Sequence, residues 1–320
     1  MRVLITGGAG YLGSVLCSEL LKNHEVVVYD NLLYNQISLL NFFGNDNFKF
    51  VYGDVRDFSK LKSYIDKADV IIPLAAIVGF PACDNDKNLA TEINFTQIKK
   101  ISNYTNGNKK IIFPNTNSGY GHRTEGVCTE EQKLTPISHY GVTKCDAENL
   151  LLDDGSSITL RLATVFGMSQ RMRLDLLVNE FVYKGLTDRY ITLFQANAIR
   201  NYIHIRDVAS VFSFMIDNYE DNVGEAFNVG LSDTNISKKE LTDRIIKYIP
   251  DFVVNMSDYY EDPDKRDYIV SNEKIEKTGW KPKYSLEDGI QELISGYQII
   301  INKDTSHFRN GFPIKYGQEL

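Results

Sequence analysis

The chain opens with a short apolar run, Val3, Leu4 and Ile5, followed at once by Gly7, Gly8 and Gly10 and then by apolar residues at helical spacing, Val15, Leu16, Leu20 and Leu21. A second apolar run covers 26–29 and ends at Asp30. Short, almost wholly apolar runs suit buried parallel strands, and the 3.6-residue spacing between them suits a helix packed on the sheet, so the first thirty residues read as a βαβ unit. The same alternation continues. Strands are predicted at 48–52, 69–76, 110–113, 157–162 and 226–230, and helices at 57–67, 89–105, from His139 to about Leu152, at 206–219 and from Leu286 onward. Residues 31–44 read as loop with a short helix, and 79–83 as a turn-rich loop. Strands buried on both sides and separated by helices predict an α/β fold with a parallel sheet covered by helices on both faces.

The glycine turn adds chemistry to this pattern. A turn of this kind lets backbone N–H groups and the start of the following helix approach a pyrophosphate, with Gly13 where a side chain would hold helix and strand apart. An acidic residue about twenty positions on can accept from a ribose 2′-hydroxyl and would repel a 2′-phosphate, so Asp30 points to NAD rather than NADP. Asp54, at the end of the third strand, can accept the adenine amino group while Val55 donates from its backbone. The fourth strand ends in Leu74, Ala75 and Ala76, small enough to let a cofactor pass close by. The candidate cofactor contacts are therefore Gly7, Gly10, Tyr11, Leu12, Gly13, Asp30, Asn31, Asp54, Val55, Leu74, Ala75 and Ala76.

Composition narrows the class without changing it. The 320 residues carry a net charge of −7, which argues against nucleic acid or an anionic membrane surface as the main partner. Cys17, Cys83, Cys128 and Cys145 are far apart with no CxxC pair, and HExxH is absent, so neither a disulfide framework nor a metal site is expected. Cys83 reads as a small buried residue. The longest apolar run, 70–80, is too short to span a bilayer. With a strand starting at Arg2 no signal peptide is expected, which predicts a cytoplasmic protein.

The fifth strand delivers a polar cluster, Asn115, Thr116, Asn117 and Ser118, which is either turn chemistry or the floor of a site. The next helix opens with Tyr140 and Lys144, four apart and hence on one face. A phenol titrating near 10 is a poor base at neutral pH; a neighbouring ammonium together with an oxidised nicotinamide would acidify it. Lowering its pKa by about three units takes roughly 4 kcal/mol. Tyr140 could then take a proton from a substrate hydroxyl as the carbinol carbon passes hydride to NAD, with Thr116 bonded to the same oxygen. Arg171 and Arg173 precede an apolar helix and read equally as phosphate contacts or as a solvated helix start.

Taken in order, TGGAGYLG at 6–13, Asp30, GDV at 53–55, Asn94, Thr116 before YG at 120–121, YGVTK at 140–144 and RNYIHIRDVA at 200–209 resemble the extended short-chain dehydrogenase/reductase family, sugar-nucleotide epimerase/dehydratase branch. The resemblance covers nearly the whole chain. It implies a Rossmann-type domain holding NAD over 1–165, with 201–230 returning to it, and a smaller C-terminal sugar-nucleotide domain over 166–320. It implies Thr116, Tyr140 and Lys144 as the catalytic trio, with Tyr140, Lys144 and Asn94 also on the cofactor side. Val78, Thr116, Asn117, Thr164, Arg171, Arg173, Arg200 and Arg266 form the implied substrate set. Within it, Arg200 matches an arginine that reaches the substrate pyrophosphate, Thr164 stands where many members carry Asn, and Arg266 is slightly out of register. The implied assembly is a homodimer or higher homo-oligomer through the helices near Leu89 and Tyr140.

Dehydratases of this branch place an acid pair directly after the catalytic threonine. Asn117 and Ser118 stand there instead, which favours oxidation at C4 of a GDP- or UDP-linked sugar without loss of water. A 4-dehydrogenase releases the ketone; a 4-epimerase returns the hydride to the other face. GFPAC at 79–83 and the stretch 161–179 resemble a bacterial surface-polysaccharide subgroup, including enzymes that oxidise GDP-mannoheptose at C4. A non-catalytic NAD-binding scaffold and an NADPH-linked keto-sugar reductase are the other readings, disfavoured by the intact trio and by Asp30.

Overall fold

The computed structural model describes residues 1–257, 259 and 266–310, the side chains of 123–125 excepted. Its strands in chain order begin β1 (Arg2–Thr6), β2 (Glu25–Asp30), β3 (Phe48–Tyr52), β4 (Val70–Pro73), β5 (Lys110–Thr116), β6 (His122–Cys128) and β7 (Ser157–Leu162). All but β6 join one seven-stranded sheet with the strand Ala226–Val229, in the order Ala226–Val229, β7, β5, β4, β1, β2, β3. Each pairing is parallel.

The two-residue side-chain period of a strand divides its apolar residues between two cores. Val3, Ile5, Val26, Val28, Val70 and Ile72 fall in one, with Leu16 and Leu20 of α1 (Tyr11–Leu20) and Val208, Phe212 and Met215 of the helix Ile205–Asp217. Leu4, Val27, Tyr29 and Ile71 fall in the other, with Leu61 and Ile65 of α2 (Phe58–Ile65). This is why the strand segments carry little polar alternation.

The structure departs from the sequence pattern in several places. Residues 79–83 are not a loop: Gly79, at φ +96°, precedes a short helix α3 (Phe80–Asn85). Pro81 sits in its first turn, where a missing N–H is harmless, so the two residues that suggest a turn instead mark a helix start. The predicted helix 89–105 is α4 (Lys87–Thr91), a π-helical turn Glu92–Thr96 and α5 (Gln97–Thr105). The strand predicted at 110–113 runs on to Thr116, and that predicted at 69–76 stops at Pro73. β6 pairs in parallel with Asp267–Val270, a partner too distant in the chain for local patterning to suggest. The helix beginning at His139, α6, extends to Asp153.

Beyond the large sheet the chain forms two-stranded pairs and helices, among them Leu177–Thr187, Lys238–Ile246 and Leu286–Ile300. Of the charged loop 258–267, positions 258 and 260–265 lie outside the described residues. Residues 304–310 pack back on the body, where the amide of Leu174 donates to the carbonyl of Phe308 at 2.7 Å, and 311–320 lie outside the described residues. Among the described residues no helix is long and apolar enough to cross a membrane.

Candidate active site

A cleft of about 620 Å³ opens at the carboxyl ends of the strands, where the chain order reverses between β1 and β4. Gly7 lies at φ +72°, and a Cβ there would stand 2.5 Å from the amide nitrogen of Ala75, so the turn presses directly on the chain leaving β4. Gly10 precedes α1 without any side-chain cap, which leaves the amides of the first helical turn without a side-chain acceptor and open to an anion. Gly13 is confined as well, but its Cβ would meet Gly8 at 2.6 Å, so the close approach is between helix and turn rather than helix and strand. Gly7, Gly10, Tyr11, Leu12 and Gly13 all line the cleft.

Asp30 and Asn31 line the cleft beside the turn. The Asp30 carboxylate accepts from the amides of Ala9 at 2.9 Å and Leu32 at 2.8 Å, which leaves each oxygen acceptor capacity for a ribose hydroxyl. Burial pushes its pKa up. Val55, Leu74, Ala75 and Ala76 line the same end. These residues fit NAD: an uncapped helix start for the phosphates, a seated carboxylate for the ribose and small residues alongside.

Asp54 lines the cleft as well, with its carboxylate already engaged within the chain. Its carboxylate accepts from the Arg56 amide at 2.8 Å, from Arg56 Nε at 2.9 Å and Nη2 at 2.7 Å, and from Asn31 Nδ2 at 3.1 Å. A carboxylate offers about four acceptor sites and these are taken, so an adenine amino group would have to displace one of those donors.

At the other end, α6 starts from Ser138, whose hydroxyl accepts from the amide of Gly141 at 3.3 Å. Tyr140 and Lys144 on this helix and Thr116 at the end of β5 line one wall of the cleft. Lys144 is 4% exposed, with its ammonium 3.8 Å from the centre of the Phe113 ring. Burial lowers the Lys144 pKa to about 7 and raises that of Tyr140. Burial therefore works against the expected acidic phenol in the chain by itself, and the nearby cations work for it.

The Thr116 hydroxyl donates to Ser118 Oγ at 3.0 Å and accepts the Ser118 amide at 3.1 Å. Arg266 Nη1 donates to the same Ser118 oxygen at 2.6 Å, which brings the C-terminal part of the chain against the end of β5. Two other predicted residues stand outside the cleft. Asn117 is 2% exposed and both atoms of its amide are buried without a hydrogen-bond partner. It heads a 3-10 turn, Asn117–Tyr120, and is not among the residues that line the cleft.

Asn94 is the second. Its amide accepts from the Ile77 amide at 2.9 Å and donates to the Ile77 carbonyl at 2.9 Å and to Thr143 Oγ1 at 3.3 Å. It braces the chain leaving β4 against α6 and is not among the cleft-lining residues. Cys83 belongs to the same knot, with its thiol donating to the Ile77 carbonyl at 3.1 Å. Asn94→Ala is expected to cost about 1–3 kcal/mol, since it strands buried polar groups of Ile77. Urea unfolding measures this, and an unchanged midpoint would remove the bracing role.

Val78, Thr164, Arg171, Arg173, Arg200 and Arg266 all line the cleft. Arg173 is already neutralised, with Nε 3.1 Å and Nη2 2.6 Å from the two oxygens of Asp175. Arg200, 4% exposed, donates to the Ile199 carbonyl at 2.9 Å and has its guanidinium 5.8 Å from the Tyr268 ring centre. Tyr34, Lys238 and Tyr268 line the cleft without having been expected there, and Ser118 of the polar cluster after β5 lines it as well.

The profile of a family described as NAD dependent epimerase/dehydratase matches residues 3–230. The low-salt glycan biosynthesis protein Agl12 of Haloferax volcanii is 26% identical over 93% of this chain and 98% of its own length. The CDP-paratose 2-epimerase of Salmonella typhi is 27% identical over 92% and 98%. Among solved structures, a UDP-glucuronic acid 4-epimerase from Bacillus cereus, in complex with UDP-glucuronic acid and NAD, superposes with a TM-score of 0.83 at 24% identity over 93% of this chain and 99% of that one. A dTDP-glucose 4,6-dehydratase from Bacillus anthracis, in complex with NAD, superposes with 0.81 at 22% identity over 94% and 97%.

Proposed function

This chain belongs to the NAD dependent epimerase/dehydratase family and is an NAD-dependent enzyme of that type, and from this premise we propose that it oxidises C4 of a nucleoside-diphosphate sugar without dehydrating it. The observation that carries this reading is the state of the acids around the cleft. Among the described residues Asp30 is held by backbone amides, Asp54 by Arg56, Asp175 by Arg173, and Glu180 by Lys184 at 3.1 Å. The positions after Thr116, where the resemblance expects a dehydratase to carry its acid pair, hold a buried amide that is not among the lining residues and a hydroxyl bonded to Arg266. No carboxylate stands ready there to expel water.

In this reading Tyr140 Oη takes the proton of the C4 hydroxyl, and Thr116 holds the same oxygen in line. Lys144 carries charge beside the phenol. Bound NAD supplies the hydride acceptor and the additional positive charge that the buried phenol needs in order to ionise. Phe113 and the buried walls keep water from the ammonium. Arg200 and Arg266 are assigned to the substrate diphosphate, and residues beyond 165 to sugar-nucleotide recognition.

The proposed substrate is GDP-linked, with a heptose first in line, on the resemblance of the cleft-lining GFPAC stretch and of 161–179. The working unit is a cytoplasmic homodimer or higher homo-oligomer through the helices near Leu89 and Tyr140, α4 and α6, which light scattering tests. A 4-epimerase is the second reading, favoured by the UDP-glucuronic acid 4-epimerase among the similar solved structures.

Near-ultraviolet absorbance of the purified protein with NAD and a panel of GDP-, UDP-, CDP- and dTDP-sugars separates the outcomes. Stoichiometric accumulation of NADH is the expected result. Epimerised sugar without lasting NADH replaces it with the second reading, and neither product nor NADH with any sugar would leave only a binding scaffold.

A further inference from the structure

Arg171 belongs to the implied substrate set, yet its guanidinium lies beside Tyr34, in the loop after Asp30. It is 3% exposed and lines the cleft, yet its Nε and Nη2 are buried without a hydrogen-bond partner. Its guanidinium lies 4.5 Å from the centre of the Tyr34 ring, in the loop that follows β2 and Asp30. No hydrogen bond joins it to the nearby acids: Asp30 accepts from two backbone amides and Asp175 from Arg173.

The backbone fixes which end it serves. Ser169 Oγ donates to the Tyr11 carbonyl at 2.7 Å and accepts the Arg171 amide at 3.3 Å. Tyr11 Oη donates to the Gly167 carbonyl at 2.8 Å, and Asn179 Nδ2 to Tyr11 Oη at 3.2 Å. The segment 167–171 is thereby fastened to the first turn of α1, the uncapped turn that faces the cleft. Burial, and after it the neighbouring Arg173, lowers the Arg171 pKa to about 10, which still leaves it charged at neutral pH. A buried guanidinium with unspent N–H groups is costly until an anion reaches it.

We infer that Arg171 binds the cofactor and not the sugar nucleotide: its guanidinium donates to the diphosphate of NAD from the side opposite the glycine turn, braced by the Tyr34 ring. Residues 167–171 then act as a strap from the C-terminal part of the chain that slows the release of NAD. This inference takes only the family's cofactor as given, and it is tested without turnover, so it stands or falls apart from the C4 chemistry.

The test is binding to cofactor-stripped protein, comparing wild type with Arg171→Met and Arg171→Gln. NADH fluorescence and calorimetry with ADP-ribose are expected to show affinities weaker by about 10- to 100-fold, the loss typical of a charge-assisted hydrogen bond. Adenosine, UDP and GDP should bind as they do to wild type. A loss that is equally large for adenosine would mean ring packing rather than phosphate contact. A loss for UDP or GDP with NADH unchanged would return Arg171 to the substrate diphosphate. Either result overturns the inference, as does failure of both ligand-free variants to fold, because a charge buried without an acceptor is not what holds a fold together.

Discussion

Tyr140→Phe is expected to lower kcat by about 10²- to 10⁴-fold, the range for removing a positioned acid–base group, while NADH affinity stays at the wild-type value. The ring keeps its packing, since Tyr140 borders the second core through its aromatic face, and only the hydroxyl is lost. The effect should fall on kcat and kcat/KM together, because a proton-transfer group acts in the transition state more than in substrate binding. Lys144→Met should follow it, and on the chain's own electrostatics the two are not redundant. With the Lys144 pKa near 7 and the phenol pushed up by burial, neither group alone sets up an ionised tyrosine at neutral pH. Turnover of Tyr140→Phe within a factor of three of wild type, measured by NADH formation or sugar analysis, would refute the assigned base.

Glu148→Ala is expected to destabilise the protein by about 3–5 kcal/mol, the cost of breaking a fully buried ion pair from one side. Glu148 is 0% exposed and lies four residues after Lys144 on α6. Its carboxylate accepts from Arg161 Nε at 2.9 Å and Nη2 at 2.8 Å, from Asn115 Nδ2 at 2.7 Å and from Thr159 Oγ1 at 3.0 Å. Alanine would leave the Arg161 guanidinium without its counter-charge, with only Tyr120 Oη at 2.9 Å and the Glu130 carbonyl at 3.2 Å as acceptors.

The damage should extend to the site, because Asn115 uses its other amide atom to accept the Thr116 amide at 2.8 Å. Turnover per folded molecule should therefore fall as well. Replacing both partners, Glu148→Leu with Arg161→Met, should cost less than Glu148→Ala, since no charge is then left buried and unpaired. Chemical denaturation of the three variants decides it, and a Glu148→Ala midpoint equal to wild type would show that the carboxylate contributes little.

Local patterns account for a good part of the architecture. The glycine turn, the Asp30 position and the apolar strands are read within windows of thirty residues, and the sheet built from them has the parallel pairing that near-continuous apolar runs require. Local reading failed where one signal serves two purposes. Gly79 and Pro81 mark turns in most contexts and here introduce α3, and the spacing over 89–105 could not reveal a π turn that places Asn94 beneath Ile77.

What the sequence by itself determined is periodic or short-range: the strands of the seven-stranded sheet, the Gly7 to Gly13 turn with Asp30 answering it, and the presence of Tyr140 and Lys144 on one helical face. Tertiary structure alone decided which polar groups remain available. It spent Asp54 on Arg56, Arg173 on Asp175 and Glu148 on Arg161, carried Arg266 to Ser118, and left Arg171 unpaired beside the first turn of α1. The physical reason is that a strand or helix period is set by backbone geometry within one element. The charge state and free hydrogen-bonding capacity of a buried side chain, in contrast, depend on desolvation and on partners that only the folded chain brings within 3 Å or so.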